Sequence, residues 1–333
     1  MQATAWEPLA DRTVACGLCA HRCRIAPGRR GICGVRENRD GVLFTLAYGN
    51  PCSVSLDPIE KKPLYHFLPG TGTLSLAVEG CNFRCRFCQN HTISQARPEP
   101  AGAGRPYQPE AVVDLAAAEG APSISYTYTE PTVFYEYARA IGTAARGRGL
   151  RNVFVTNGFM TPETAADSLA FLDAANIDLK AFRDASYREV MGGRLEPVLD
   201  SIRFYAAHKV WVEVTTLVVP GLNDDPAELA DIAGFLASVS PDLPWHVSRF
   251  HPDFRMTDTP PTPVAVIERA LAAGRAAGLR HVYAGNVRGA GADTNCPACG
   301  AVVVAREGFT SRLSGLRRGV CTACGAAVAG VWL

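Results

Sequence analysis

Three cysteines fall within eight positions of the chain, in the run CNFRCRFCQN over residues 81–90. Thiolates are the soft ligands that hold zinc and iron–sulfur clusters. Cys81, Cys85 and Cys88 follow a C-x3-C-x2-C spacing. A tight loop with that spacing can turn all three sulfurs toward one point, which a straight helix could not. Metal centres built by protein alone usually take four ligands, and this run supplies three. Three thiolates can hold three irons of a 4Fe-4S cluster and leave the fourth iron open to an outside ligand. Phe87, just before the last cysteine, would give such a cluster an apolar shield. The competing reading is zinc on three thiolates with a bound water, although zinc hydrolases more often use His and carboxylate ligands.

Two further groups bracket this one. Cys296, Cys299, Cys321 and Cys324 stand in two knuckles, CPACG (296–300) and CTACG (321–325). In each, Gly relieves a tight turn and two sulfurs converge, so the four make a closed tetrahedral site for zinc, or for a single rubredoxin-type iron. A segment of roughly 40 residues has too little core to stand without such a staple. Arg306, Arg312, Arg317 and Arg318 lie between the knuckles and read as a solvated basic face. Near the start, Cys16, Cys19, Cys23 and Cys33 are spaced C-x2-C-x3-C-x9-C. They suit zinc, placed first, or an auxiliary Fe-S cluster, with His21 able to replace one thiolate. Cys52 has no partner in the sequence and is expected to be a buried free thiol.

The residues that must position these groups show a regular beat. Strand-like runs cover 73–80, 123–130, 152–158, 176–181, 211–219, 245–250 and 281–286, with Ala-rich helical stretches between them. The stretch PAELADIAGFLASV follows Asn223, Asp224 and Asp225, which are N-cap residue types. Alternating strands and helices imply an α/β fold with parallel strands and right-handed crossovers, a complete or partial (βα) barrel; an open doubly wound sheet is the alternative. Polar residues collect at the strand ends: Thr129 and Glu130, Thr156 and Asn157, Asp178 and Lys180, Thr215 and Thr216, His246, Ser248 and Arg249, and Asn286. In parallel barrels that face carries the active site. The expected organisation is a Cys-rich extension over 1–70, the barrel over 71–290 and a zinc-ribbon or rubredoxin-like module over 291–333. The loop over 96–110 is the most linker-like stretch.

The 333 residues are 47% hydrophobic and 20% charged, with a formal net charge of +1. That balance gives no electrostatic case for nucleic acid or an anionic membrane. No apolar run approaches the ~18 residues of a membrane span. The first residues lack a basic start and apolar core, so they do not read as a secretory signal, and a cytoplasmic location is the default. A reducing cytosol disfavours disulfides, so the twelve cysteines, eleven of them bunched in three groups, read as metal ligands.

C-x3-C-x-(aromatic)-C at the end of the first strand of an α/β barrel resembles the signature of the radical S-adenosylmethionine (SAM) enzymes. The stretches DPIEKKPLYHFLPG (57–70), YTYTEPTVFYEY (126–137), VFVTNGFM (153–160), NIDLKAF (176–182), VEVTTLVVPGLND (212–224), WHVSRFHPDFRM (245–256) and HVYAGNVRG (281–289) narrow the likeness. Together with CGLCAHRC and the paired CxxCG they resemble AmmeMemoRadiSam-type radical SAM proteins, relatives of pyruvate formate-lyase activating enzymes. The resemblance implies a 4Fe-4S cluster on Cys81, Cys85 and Cys88, with SAM on the open iron through its amino and carboxylate groups. It implies reductive cleavage of SAM to a 5′-deoxyadenosyl radical that takes hydrogen from a substrate. It implies a role for Glu130 at the SAM amino group, although the Gly-Gly-Glu run of related enzymes is here YTYTEP. By the same likeness Asn157, Asp178 and Lys180 belong to the SAM pocket, Thr215, Thr216 and Val218 are ribose or adenine contacts, and His246 and Arg249 are carboxylate or substrate contacts. The implied partners are an electron donor such as flavodoxin or ferredoxin and a small-molecule or protein substrate. Alternative functions are a glycyl-radical activase, a nucleic-acid modifier docking through the C-terminal ribbon, and a barrel that binds SAM or metal without turnover.

Overall fold

The structure is a computed structural model that describes residues 1–98, 107–287, 289 and 292–332. Most of the linker-like loop over 96–110, and the expected boundary at 290 and 291, lie outside the described residues. The N-terminal segment opens with three short antiparallel strands, β1 (Trp6–Pro8), β2 (Val14–Cys16) and β3 (Arg24–Ile25). A hairpin follows, β4 (Arg36–Arg39) with β5 (Val42–Thr45). Its turn is Asp40-Gly41, both at positive φ (54° and 93°), the two-residue turn whose twist suits a hairpin.

The central sheet has eight strands: β6 (Pro51–Pro58), β7 (Gly72–Val78), β8 (Ser123–Tyr126), β9 (Arg151–Thr156), β10 (Ala174–Asp178), β11 (Trp211–Val218), β12 (Trp245–Arg249) and β13 (Val282–Gly285). All seven runs read from the sequence form strands, and they are parallel. The eighth, β6, comes from the N-terminal segment and pairs antiparallel with β7. Spatial order equals chain order, whereas a doubly wound sheet reverses direction from its middle. The two ends of the row, β6 and β13, do not pair, so this is a partial barrel. Helices Pro109–Ala118, Tyr135–Gly147, Pro162–Ser168, Glu196–Ala207, Pro226–Val239 and Val264–Ala276 lie between successive strands. Asp225 caps the fifth of these by accepting the Ala227 N–H at 2.8 Å. No helix among the described residues is long and apolar enough to cross a membrane.

Strand alternation sorts the side chains. On β11, Glu213, Thr215 and Leu217 face the barrel interior, while Val214, Thr216 and Val218 face the helices. Interior residues at the N-terminal ends of the strands form a polar plug. The buried Glu213 carboxylate accepts the Tyr65 N–H (2.9 Å), the His66 N–H (2.7 Å) and Trp211 Nε1–H (3.0 Å), and lies 2.6 Å from His246 Nε2. The C-terminal segment docks at this end. It contains β14 (Thr294–Asn295), β15 (Val302–Glu307), β16 (Thr310–Leu313), β17 (Leu316–Arg317) and β18 (Val320–Cys321). Arg306 lies over the Tyr65 ring at 4.2 Å and donates to Tyr65 O at 2.6 Å. Arg306, expected on a solvated face, instead has its guanidinium as the bolt between ribbon and barrel.

Two histidines sit in this junction. His66 is bracketed by Ala329 O (2.7 Å) and Tyr283 Oη (2.6 Å), and its ring centroid is 4.3 Å from that of His281. Burial, then the neighbouring His281, lowers the His66 pKa to about 3. Burial lowers that of His281 to about 4. Both are therefore neutral in the fold, and below about pH 6.5 the unfolded chain takes up their protons first. This contribution is complete above pH 6.5 and is lost on acidification, at up to about 1.4 kcal/mol per pH unit for each histidine. Urea unfolding at pH 5 should show about 4 kcal/mol less stability than at pH 7, about 2 kcal/mol from each histidine. His281→Gln should shrink that difference; an undiminished difference in the variant would remove the histidines as its cause.

A candidate cofactor site at the open end of the barrel

At the C-terminal ends of the strands lies an open cavity of about 290 Å³. β7 ends at Val78 and the chain turns through Gly80 at φ +102°. A Cβ there would stand 2.6 Å from Val35 Cγ1 and 3.0 Å from Cys33 O, so only glycine lets the loop approach the N-terminal segment. Cys81, Cys85 and Cys88 then all reach the cavity wall, with Phe83 and Phe87 beside them. The loop is held from outside by its own backbone: Arg84 N–H donates to Met191 O (2.7 Å) and Arg86 N–H to Val190 O (3.2 Å). Both acceptors belong to a single π-turn, Tyr187–Met191, an uncommon element that recurs at functional sites.

The sulfurs already have partners suited to thiolates. Phe83 N–H donates to Cys81 Sγ at 3.4 Å, Asn157 Nδ2 lies 3.9 Å from the same sulfur, and Cys88 Sγ is 3.2 Å from Ser94 Oγ. Burial, then the Glu130 carboxylate, pushes the Cys81 thiol well up. Burial pushes Cys85 up to about 12 against the pull of Lys180. Free, these thiols hold their protons, and a metal must displace them to bind. Soft donors, N–H groups and a nearby cation fit an iron–sulfur cluster better than an aqueous zinc site.

Strand ends supply the rest of the wall. Glu130, Asn157, Asp178, Lys180 and Thr215 all line the cavity, as do Thr129, Thr156, Ser248 and Asn286. Glu130 is 1% exposed and its carboxylate is fully engaged. Oε1 accepts from the Thr132 N–H (3.0 Å) and from the Thr132 and Thr156 hydroxyls (2.6 and 2.7 Å), and Oε2 accepts the Asn157 N–H at 2.7 Å. Lys180 Nζ lies 2.7 Å from Asp178 Oδ2. Burial would lower the lysine's pKa, but Asp178 and Cys85 outweigh it and raise it, so the ammonium is permanent. An ion pair thus stands on the wall beside the thiols.

Other residues named from the sequence lie elsewhere. Thr216 faces the helices and accepts Trp245 Nε1–H at 3.0 Å; Val218 is buried on the same face. Arg249 donates through Nε to Thr262 O at 2.7 Å, also outside the barrel. His246 is consumed by Glu213 in the plug. His21 does not join the cysteines around it: its Nε2 lies 2.8 Å from Asn82 O and its ring meets Phe159. Cys52 is exposed rather than buried, on the outward side of the edge strand β6. Lys61 and Tyr128, not among the residues expected from the sequence, also line the cavity. Tyr128 donates to Asp57, and Lys61 and Lys62 each lie 2.8 Å from that carboxylate. The signal was present in DPIEKK (57–62), but its place in the wall depends on β6 joining the sheet.

The C-terminal cysteines form a site of another kind. Cys296, Cys299, Cys321 and Cys324 place their sulfurs within 4.8 Å of one another. The knuckles match: Gly300 N–H donates to Cys296 O and Gly325 N–H to Cys321 O, both at 2.9 Å. Tetrahedral bonds of about 2.3 Å put sulfurs about 3.8 Å apart. The pairs Cys296–Cys324 and Cys299–Cys321 are at 3.6 and 3.8 Å. That is the spacing of a single ion.

A family model described as the Radical SAM superfamily matches residues 76–233. The uncharacterized protein MJ0808 of Methanocaldococcus jannaschii is 44% identical over 320 residues, spanning 95% of this chain and 94% of that one. The isethionate sulfite-lyase activating enzyme of Nitratidesulfovibrio vulgaris is 29% identical over 122 residues, 35% of this chain and 40% of the enzyme. Among solved structures, a radical SAM methyltransferase from Sphaerobacter thermophilus has a TM-score of 0.51 at 16% identity, over 66% of this chain and 67% of that one. This last likeness is one of fold.

Proposed function

The chain belongs to the radical SAM superfamily, and from that premise we propose that Cys81, Cys85 and Cys88 hold a 4Fe-4S cluster with SAM beside it, for hydrogen abstraction from a substrate. The observation that carries this is three thiols, and not four, on the wall of an open cavity, next to the Lys180–Asp178 ion pair. When bound, the cluster supplies one electron to the sulfonium of SAM, giving methionine and a 5′-deoxyadenosyl radical. The chain's own residues bind and orient. Lys180 offers a fixed cation for the carboxylate of the methionine moiety, and Asp178 keeps its ammonium in place. Thr215 and Ser248, further along the wall, offer hydroxyls to a sugar. Phe83 and Phe87 cover the thiols with apolar surface and keep water from them. The test is anaerobic reconstitution with iron and sulfide, then formation of 5′-deoxyadenosine from SAM under a strong reductant of the flavodoxin or ferredoxin class.

Glu130 acts in this reading through Thr156 and Asn157 rather than on SAM, because its oxygens already accept from four donors. Glu130→Gln keeps the shape but turns one acceptor into a donor facing a donor, a buried mismatch of about 1–3 kcal/mol. SAM affinity should fall about tenfold while the cluster spectrum is retained. A Gln variant with wild-type affinity and wild-type melting would remove the brace.

A backbone glycine of a partner protein is a second substrate class, favoured by the partial likeness to an activating enzyme. Docking of nucleic acid through the ribbon is disfavoured. The ribbon packs at the N-terminal ends of the strands, away from the cavity, and spends Arg306 on the barrel.

A further inference from the structure

We propose that Cys16, Cys19, Cys23 and Cys33 hold a second 4Fe-4S cluster and not a zinc ion. The four cysteines come together on the wall of one small enclosed cavity in the N-terminal segment, although they are spread over 18 positions of the chain. The remaining wall is Leu18, Ile25, Gly31, Ile32, Thr132 and Val133 together with Arg36, and almost none of its exposed surface is polar. His21 is turned away to Asn82, which leaves a pure thiol donor set.

Spacing separates the two metals. Zinc would draw four sulfurs to about 3.8 Å of one another. The ribbon cysteines of this same chain do close in that way, and among the described residues no other group does. The N-terminal four line their cavity without closing on a single point. The three cysteines of the loop at 81–88 likewise do not bring their sulfurs within 4.8 Å of one another. A cuboidal cluster places one iron against each thiolate and so needs the sulfurs held apart around it.

The wall also carries a counter-charge. Arg36 is 1% exposed and lines the cavity. One of its terminal nitrogens donates to Glu136 at 3.0 Å and the other to Thr4 O, but its Nε is buried with no partner. A buried N–H donor left open is costly, about 1–3 kcal/mol, unless something in the cavity accepts from it. Sulfur of an anionic cluster is such an acceptor, and hydrogen bonds to cluster sulfurs are an ordinary means of tuning it.

The experiment uses the full chain with Cys81→Ala, Cys85→Ala and Cys88→Ala together, reconstituted anaerobically with iron and sulfide. We expect it to keep about four irons and four sulfides, with one zinc in the ribbon. On reduction it should show a paramagnetic signal that SAM does not alter. Cys16→Ala with Cys33→Ala, in the otherwise wild-type chain, should lose that signal and about four irons. An iron-free triple variant carrying two zinc ions, or only the ribbon's one, would overturn the proposal. The outcome is independent of the loop's chemistry: were the loop to hold no cluster, wild type and triple variant would simply carry the same iron.

Discussion

Cys85→Ala should leave a folded protein that forms 5′-deoxyadenosine at least about 10³-fold more slowly than wild type, equivalent to about 4 kcal/mol of barrier. The side chain is 7% exposed and small, and the loop around it is held by backbone bonds to Val190 and Met191 that the substitution does not touch. What is lost is one of three ligands, with no fourth cysteine on the cavity wall to take its place. Iron content should fall by about four per chain, while the ribbon keeps its ion. Undiminished deoxyadenosine formation by the variant would mean that the loop is not the reductive centre.

Lys180→Met should weaken SAM binding about 30- to 5000-fold, the 2–5 kcal/mol typical of truncating one partner of a buried, hydrogen-bonded charge pair. Methionine preserves the length and apolar stem of lysine and removes only the ammonium. Asp178 is then left beside Cys85 without its cation, so the wall would present net negative charge to a carboxylate ligand. The companion change Lys180→Arg keeps the charge and should retain most of the affinity. Equilibrium dialysis under anaerobic conditions reads both. A Met variant that binds SAM within threefold of wild type would place the methionine carboxylate elsewhere.

Much of this architecture was legible because function leaves polar residues where folding alone would not. Asp178 and Lys180 interrupt an apolar strand, and a charge in such a run needs a reason that packing does not provide. The two CxxCG knuckles are equally explicit, since each local turn fixes its own pair of sulfurs. What the sequence could not show is parity. The strands of a parallel sheet are covered on both faces and read as near-continuous apolar runs, so Thr215 and Thr216 look alike until one is seen to face the cavity and the other a helix. The same ambiguity misplaced Val218 and Arg249.

Long-range pairing hid the rest. β6 is an edge strand with one side exposed and a proline at each end, a pattern that resembles a loop as much as a strand. Its antiparallel pairing with β7 is nevertheless what brings Lys61 to the cavity, and it leaves Cys52 facing outward. His246 looked like a site residue because it ends a strand run, but Glu213, 33 positions away, had already claimed it. Glu130 was expected at the cavity from the sequence, but the four donors to its carboxylate come from two segments, at Thr132 and at Thr156–Asn157, and that long-range pairing is not legible in the sequence.

The central claim is that the loop at 81–88 reduces SAM, and one measurement meets it directly. Anaerobically reconstituted wild-type protein, given SAM and dithionite, should form 5′-deoxyadenosine and methionine in step, and its reduced cluster signal should shift when SAM is added. The variant lacking Cys81, Cys85 and Cys88 should form neither product. A wild-type signal indifferent to SAM, with no deoxyadenosine above the level of that variant, would contradict the account.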